Sequence, residues 1–157
     1  MNWISRYRSA RLLYLCLFVV GVLTAGFLLR FQVLKIGNEG PCVPVSEGDV
    51  ISLRYTHSMY GVPVEERLRV EGRRLVLFHV VTSDAALEYY GIEGRDEGNT
   101  RRVLDQFNIP RDSVGGQTLT VRSRRIVLRD LPGEQGNVTI RLAREPILLY
   151  VVYCIWR

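Results

Sequence analysis

VISLRYTHSMYGVPVEERLRVEGRRLVLFHVV, residues 50–81, holds the pattern from which the rest of the chain can be read. Val50–His57 and Val62–Val70 largely alternate apolar with polar residues, the period of a half-buried strand, and Arg73–Val81, a mostly apolar run, reads as a third strand. A hairpin whose turn is centred on Met59-Tyr60 sets Arg54 opposite Glu65, an exposed pair worth a few tenths of a kcal/mol up to about 1. One face then carries Leu53, Tyr55 and His57 beside Glu66, Val64 and Val62. The other carries Ser52, Arg54, Thr56, Glu65, Arg67 and Arg69. A slip of one residue would turn the apolar set to solvent, so the pattern specifies this register.

The second turn controls the chemistry. A two-residue turn at Glu71-Gly72 pairs Val64 with His79 and Glu66 with Leu77, which puts both histidines of the chain, Tyr55 and Glu66 on one face. His57 and His79 would then stand two strands apart, about 10 Å between backbones. A three-residue turn would bring Val76, Phe78 and Val80 to that face instead. Two readings follow. In the chemical one, His57, Glu66 and His79 hold a metal or a small anionic ligand. In the structural one, each histidine satisfies a backbone group or Tyr55 at the edge of the core, and Glu66 pairs with an arginine. Ser58 next to His57 makes no hydrolase dyad, because neighbouring strand residues point to opposite faces. The sequence has no G-x-S-x-G, P-loop or dinucleotide fingerprint. We therefore expect no catalytic residues and no cofactor.

Outward from the hairpins, the chain keeps its β character. Phe31–Ile36, Gln117–Val121, Arg125–Leu128, Val138–Leu142 and Ile147–Trp156 read as further strands, the last buried. Gly37–Gly48 reads as a loop, Thr100–Phe107 as a helix with Asn99 or Thr100 as its cap, and Asp84–Tyr90 as a helical turn. The expected fold is mainly β: a small antiparallel sandwich or barrel-like domain with one short helix.

Residues 1–30 differ in kind. Arg6, Arg8 and Arg11 precede Leu12–Leu29, 18 residues without a charge, closed by Arg30. As a helix this run spans about 27 Å, close to the hydrocarbon thickness of a bilayer. Its length and the poor Thr24-Ala25-Gly26 cleavage site favour an uncleaved transmembrane anchor over a removed signal peptide. The basic flank places the N-terminus in the cytoplasm and residues 31–157, a β-domain, outside it. Four of the 21 Lys and Arg lie in residues 1–30, leaving 17 against 16 acidic residues in the domain, which is no surface for nucleic acid. Cys42 and Cys154 would both face an oxidising compartment. A bridge between them closes a loop of more than 100 residues, for which loop entropy credits about 4–5 kcal/mol.

Tyr55-Thr56-His57-Ser58, followed by Val62-Pro63-Val64-Glu65-Glu66, resembles the Y-T-H-S…P-x-x-E pattern of the family called domain of unknown function 1850. The resemblance implies a small membrane-anchored prokaryotic protein with a β-domain, in accessory relation to TRAP transporters of the TAXI class. It carries Tyr55, Thr56, His57, Ser58, Pro63 and Glu66 as family positions. Thr82–Glu88 departs from the pattern, having neither the glycines nor the proline expected there. The expectation is a single-pass protein of the cytoplasmic membrane, acting without catalysis as an accessory or interaction subunit of a solute transporter. Its partners would be the lipid bilayer and a transporter subunit, with Tyr55, Thr56, His57, Ser58, Glu66 and His79 as contact or binding residues. The alternative is a small-ligand or metal-binding sensor using the His57, Glu66 and His79 face.

Overall fold

The computed structural model describes residues 3–89, 101–110, 116–131 and 136–152. A 26-residue helix, α1 (Trp3–Leu28), comes first. Its stretch Arg11–Leu28 is long and apolar enough to cross a membrane, and none of it is buried in the fold. Among the described residues ten strands follow: β1 (Arg30–Ile36), β2 (Cys42–Pro44), β3 (Val50–Thr56), β4 (Pro63–Glu71), β5 (Arg74–Val81), β6 (Arg102–Leu104), β7 (Gln106–Pro110), β8 (Thr118–Val121), β9 (Arg124–Val127) and β10 (Asn137–Pro146). The described residues also form two short α-helices, α2 (Asp84–Tyr89) between β5 and β6 and α3 (Ile147–Tyr150) after β10, and a 3-10 turn at Leu128–Asp130.

The strands make two antiparallel sheets, β2-β1-β10-β7 and β6-β5-β4-β3-β8-β9. The chain divides into two compact units, one of Met1–Phe31 with Arg144–Arg157 and the other Gln32–Ala143. Within the second unit the inward residues of both sheets form one apolar cluster. Leu34, Ile36, Ile140 and Val138 come from the smaller sheet, and Ile51, Leu68, Val70, Leu75, Leu119 and Val121 from the larger. This is the expected mainly β sandwich, in which alternate residues of each strand turn inward.

The first hairpin has the register that the alternation specifies: Arg54 opposite Glu65, Tyr55 opposite Val64 and Leu53 opposite Glu66. The second does not turn at Glu71-Gly72. Its turn is Gly72-Arg73, with Glu71 opposite Arg74, Val70 opposite Leu75 and Leu68 opposite Leu77. Gly72 has φ +60 at the first turn position, where a hairpin of this hand favours glycine. Two side chains hold it there, because Glu47 Oε2 accepts from Gly72 N–H at 2.7 Å and Gln32 Nε2 donates to Gly72 O at 2.8 Å. The turn that sequence predicts would have put Arg73 opposite buried Val70. The observed one stacks four apolar residues instead.

Beyond Leu77 the pairing shifts again, so that Arg67 faces His79 and Glu66 faces Val80. Phe78 is the extra residue of a β-bulge.

Three other expectations are corrected. Gly37–Gly48 contains the short strand β2, paired to β1 through Leu34 and Val43. The described part of Thr100–Phe107 is not helix. Leu104 pairs with Leu75 at the open edge of β5, and Phe107 and Ile109 pair with Ile140 and Val138. Unpaired edges of β5 and β10 supply ladder bonds, and Pro110 disfavours a helix before it. Finally, Ile147–Tyr150 is a helical turn rather than a buried strand, with no buried residue. Ile147 N–H donates to Leu29 O at 3.0 Å, but the chain preceding Leu29 is helix α1. An extended chain beyond Ile147 would therefore have no strand beside it. Cys42 is a half-buried free thiol, and Cys154, its expected partner, lies outside the described residues.

Candidate functional site

The Tyr55-Thr56-His57-Ser58 segment closes the first hairpin. His57 N–H donates to Val62 O and Gly61 N–H to His57 O, both at 2.8 Å, leaving Ser58–Gly61 as the connection. Within that loop His57 Nδ1 accepts from Met59 N–H at 3.2 Å and Tyr60 N–H at 3.4 Å. The imidazole thus does what an Asn or Asp side chain does in a turn, satisfying amides two and three residues on. His57 is 7% exposed, and its ring lies 5.1 Å from that of Tyr60. The tip points outward, with Met59 66% and Tyr60 42% exposed. Ser58 is exposed as well.

Removing the imidazole leaves two turn amides without their acceptor and vacates a buried site. His57→Ala is expected to destabilise the domain by about 1–3 kcal/mol. His57→Asn, which retains an acceptor near those amides, should lose less. Thermal unfolding of the two variants checks the order.

Tyr55 and Glu66 meet on the inward face, Tyr55 Oη donating to Glu66 Oε1 at 2.6 Å. His79 does not join them. The bulge at Phe78 turns it to the opposite face, opposite Arg67, where the Phe78 ring stacks on it and the Arg69 guanidinium lies 4.4 Å above Phe78. His57, Glu66 and His79 therefore do not converge. Among the described residues no three His, Cys, Asp or Glu side chains gather as a metal site would require.

The outward face of the larger sheet carries most of the polar chemistry. Cross-strand pairing aligns His79, Arg67, Ser52, Thr120 and Arg125 in one row, and Val81, Glu65, Arg54, Thr118 and Val127 in the next. Glu65 Oε2 accepts from Arg54 Nε at 2.9 Å, and its Oε1 accepts from Arg67 Nε at 2.9 Å and Ser52 Oγ at 3.1 Å. Burial pushes the Glu65 carboxyl up, but the bonds from Arg67, Ser52 and Arg54 outweigh it and hold the group below its ordinary value. A carboxylate lowered on folding contributes stability that is full above the ordinary value of 4.5 and is lost as pH falls through the lower folded value. Acid unfolding is therefore expected to steepen below that point. Glu65→Gln should flatten the pH dependence there, measured as denaturation midpoint against pH.

Beside this network lies a depression of about 320 Å³, lined by Arg54, Tyr55, Thr56, Gly116, Thr118, Thr120 and Arg125. Three hydroxyls and two guanidinium groups make it a place for a carboxylate or another small anion, with Arg54 already engaged by Glu65. Tyr55 and Thr56 are shared by the expected contact set and this depression. Thr118, Thr120 and Arg125 escape a reading that stops at the third strand. Extending the pairing across a hairpin at Arg122-Ser123 finds them, since it sets Thr120 opposite Arg125. That turn has its own restraint. Arg122 has φ 54, and its guanidinium bonds Asp49 Oδ2 at 2.8 and 2.9 Å.

No family model, no curated protein and no solved structure matches the chain.

Proposed function

We propose that the protein is a non-catalytic accessory subunit, anchored in the cytoplasmic membrane by α1, whose β-domain lies outside the cytoplasm and docks on a solute-transporter subunit. The observation that carries it is the tip of the β3–β4 hairpin. Met59 and Tyr60 stand exposed on a loop whose amides are held by the His57 imidazole. Partly apolar anchors on a preorganised loop are what a protein contact uses, because little side-chain and loop entropy is lost on docking. The basic flank Arg6, Arg8 and Arg11 supports the orientation, and the resemblance of the Tyr55–Glu66 segment supports a transporter of the TAXI class.

The test is purification of the tagged full-length chain from its host in mild detergent. A transporter subunit is expected with the wild type and should fall about tenfold or more with Met59→Ser and Tyr60→Ser together, the loss that removing one or two anchors gives. Retention of the subunit by that variant, with the fold intact, overturns this contact surface.

A second reading rests on the depression beside Arg54. A small anionic ligand bound there would make the domain a sensor, and ligand present at a hundred times its dissociation constant would add about 2.7 kcal/mol of stability. Arg125→Ala should abolish that gain while leaving the hairpin contact unaffected.

A further inference from the structure

We infer that the depression on the outward face of the larger sheet takes a small hydroxylated monocarboxylate on Arg125, and that Glu65 limits the ligand to one negative charge by committing Arg54. This deepens, and rests on, the anion-binding reading given above.

The register builds the depression. Strand β8 lies between β3 and β9. Thr118 stands opposite Arg54 of β3, and Thr120 opposite Arg125 of β9. Alternation along each strand puts these four side chains and Thr56 on one face. The two arginines are two strands apart, about 10 Å between backbones. Their long side chains therefore rise on either side of a floor made by two short threonines. At Gly116, also in the lining, an added Cβ would meet no atom within 4 Å, so that side stays open to an incoming molecule.

The two cations are not equivalent. Arg54 Nε and Nη2 both bond Glu65 Oε2, at 2.9 and 2.8 Å, and Glu65 Oε1 accepts from Arg67 Nε. Arg125 makes no hydrogen bond or ion pair with another described residue, and neither do the hydroxyls of Thr56, Thr118 and Thr120. One whole guanidinium is thus uncommitted. It matches one carboxylate, which accepts two parallel N–H bonds from the arginine fork. A second negative charge on the ligand would have only Arg54, whose charge Glu65 already offsets. Phosphate and sulfate dianions are ordinarily met by several cations or by the N–H groups of a helix N-terminus. Every lining residue here belongs to a strand or to the chain just before β8.

Size and polarity define the rest of the ligand. At about 320 Å³ the depression is near the lower end of small-molecule sites, about 300–1,000 Å³. Such sites are mostly apolar, whereas this one offers three hydroxyls, each both donor and acceptor. They pair with hydroxyl groups on the ligand body and not with hydrocarbon. A short hydroxy acid or sugar acid has that chemistry.

The test follows thermal unfolding of the full-length chain in mild detergent against sodium glycerate, sodium sulfate and inorganic phosphate, with ionic strength held by chloride. Each variant is compared with its own ligand-free midpoint. We expect saturable stabilisation by glycerate, with an apparent dissociation constant about tenfold or more below those of sulfate and phosphate. Arg125→Lys keeps the charge but loses the fork, and should weaken glycerate about tenfold. Glu65→Gln releases Arg54, and should strengthen sulfate relative to glycerate about fivefold, the equilibrium weight of one surface ion pair. If no anion stabilises the wild type beyond chloride, the anion-binding reading and this inference fall together. Sulfate or phosphate binding as tightly as glycerate overturns this inference alone and leaves a general anion site. Undiminished glycerate binding by Arg125→Lys overturns it as well. An unchanged sulfate preference in Glu65→Gln removes Glu65 from the selection of charge.

Discussion

Arginine at both Val19 and Val20 is expected to remove the protein from the membrane fraction. The two side chains sit mid-way along the apolar stretch Arg11–Leu28 of α1 and are 46% and 59% exposed. Each arginine at the centre of a span costs about 2.5–3.5 kcal/mol on the insertion scale, against about 0.3–0.6 gained per Leu, Ile, Phe or Val. Two together offset the gain of roughly ten such residues. Resistance to carbonate extraction reads the outcome, and Val19→Leu with Val20→Leu should leave it unchanged. A double-arginine chain that stays fully membrane-bound would mean that α1 is not the anchor.

Ile51→Ala is expected to cost about 2–5 kcal/mol, while Val50→Ala, one residue away, should change stability by no more than about 0.5. The two positions occupy opposite faces of β3. Ile51 is 0% exposed and pairs with Leu68 on one side and Val121 on the other, in the middle of the apolar cluster. Val50 is 42% exposed and pairs with Arg69. Denaturant unfolding of the two variants therefore tests the register of the central sheet. A larger loss at Val50 than at Ile51 would mean that β3 is slipped by one residue, since a slip exchanges the two faces entirely.

That register also underlies the functional proposals. With Ile51, Leu53 and Tyr55 inward, Ser52, Arg54 and Thr56 must point out, toward Thr118 and Thr120 of β8. The polar face and its depression follow from the same alternation that builds the core. The hairpin tip follows from it too, because the β3–β4 ladder ends with His57 N–H bonded to Val62 O, which puts the imidazole over the loop amides. A histidine there is structural in its immediate role, and under the proposed docking function it would act through how firmly Met59 and Tyr60 are presented.

Local pattern alone determined three things about this protein: the apolar helix long enough to cross a membrane, the mainly β character of the rest, and the pairing of Arg54 with Glu65. Each depends on neighbours in the chain or on a single short turn, so periodicity suffices. Tertiary structure decided the others. His79 faces away from Glu66 because Phe78 bulges, and no glycine or proline marks that bulge in the sequence. Arg102–Leu104 and Gln106–Pro110 are strands because the edges of β5 and β10 offered ladder bonds that outweigh a helical pattern. Ile147–Tyr150 is helix because its Ile, Leu and Tyr, however suited to a strand, begin where the neighbouring chain turns helical. A short apolar segment carries too little intrinsic preference to choose its own form, and the backbone partners within reach choose it instead.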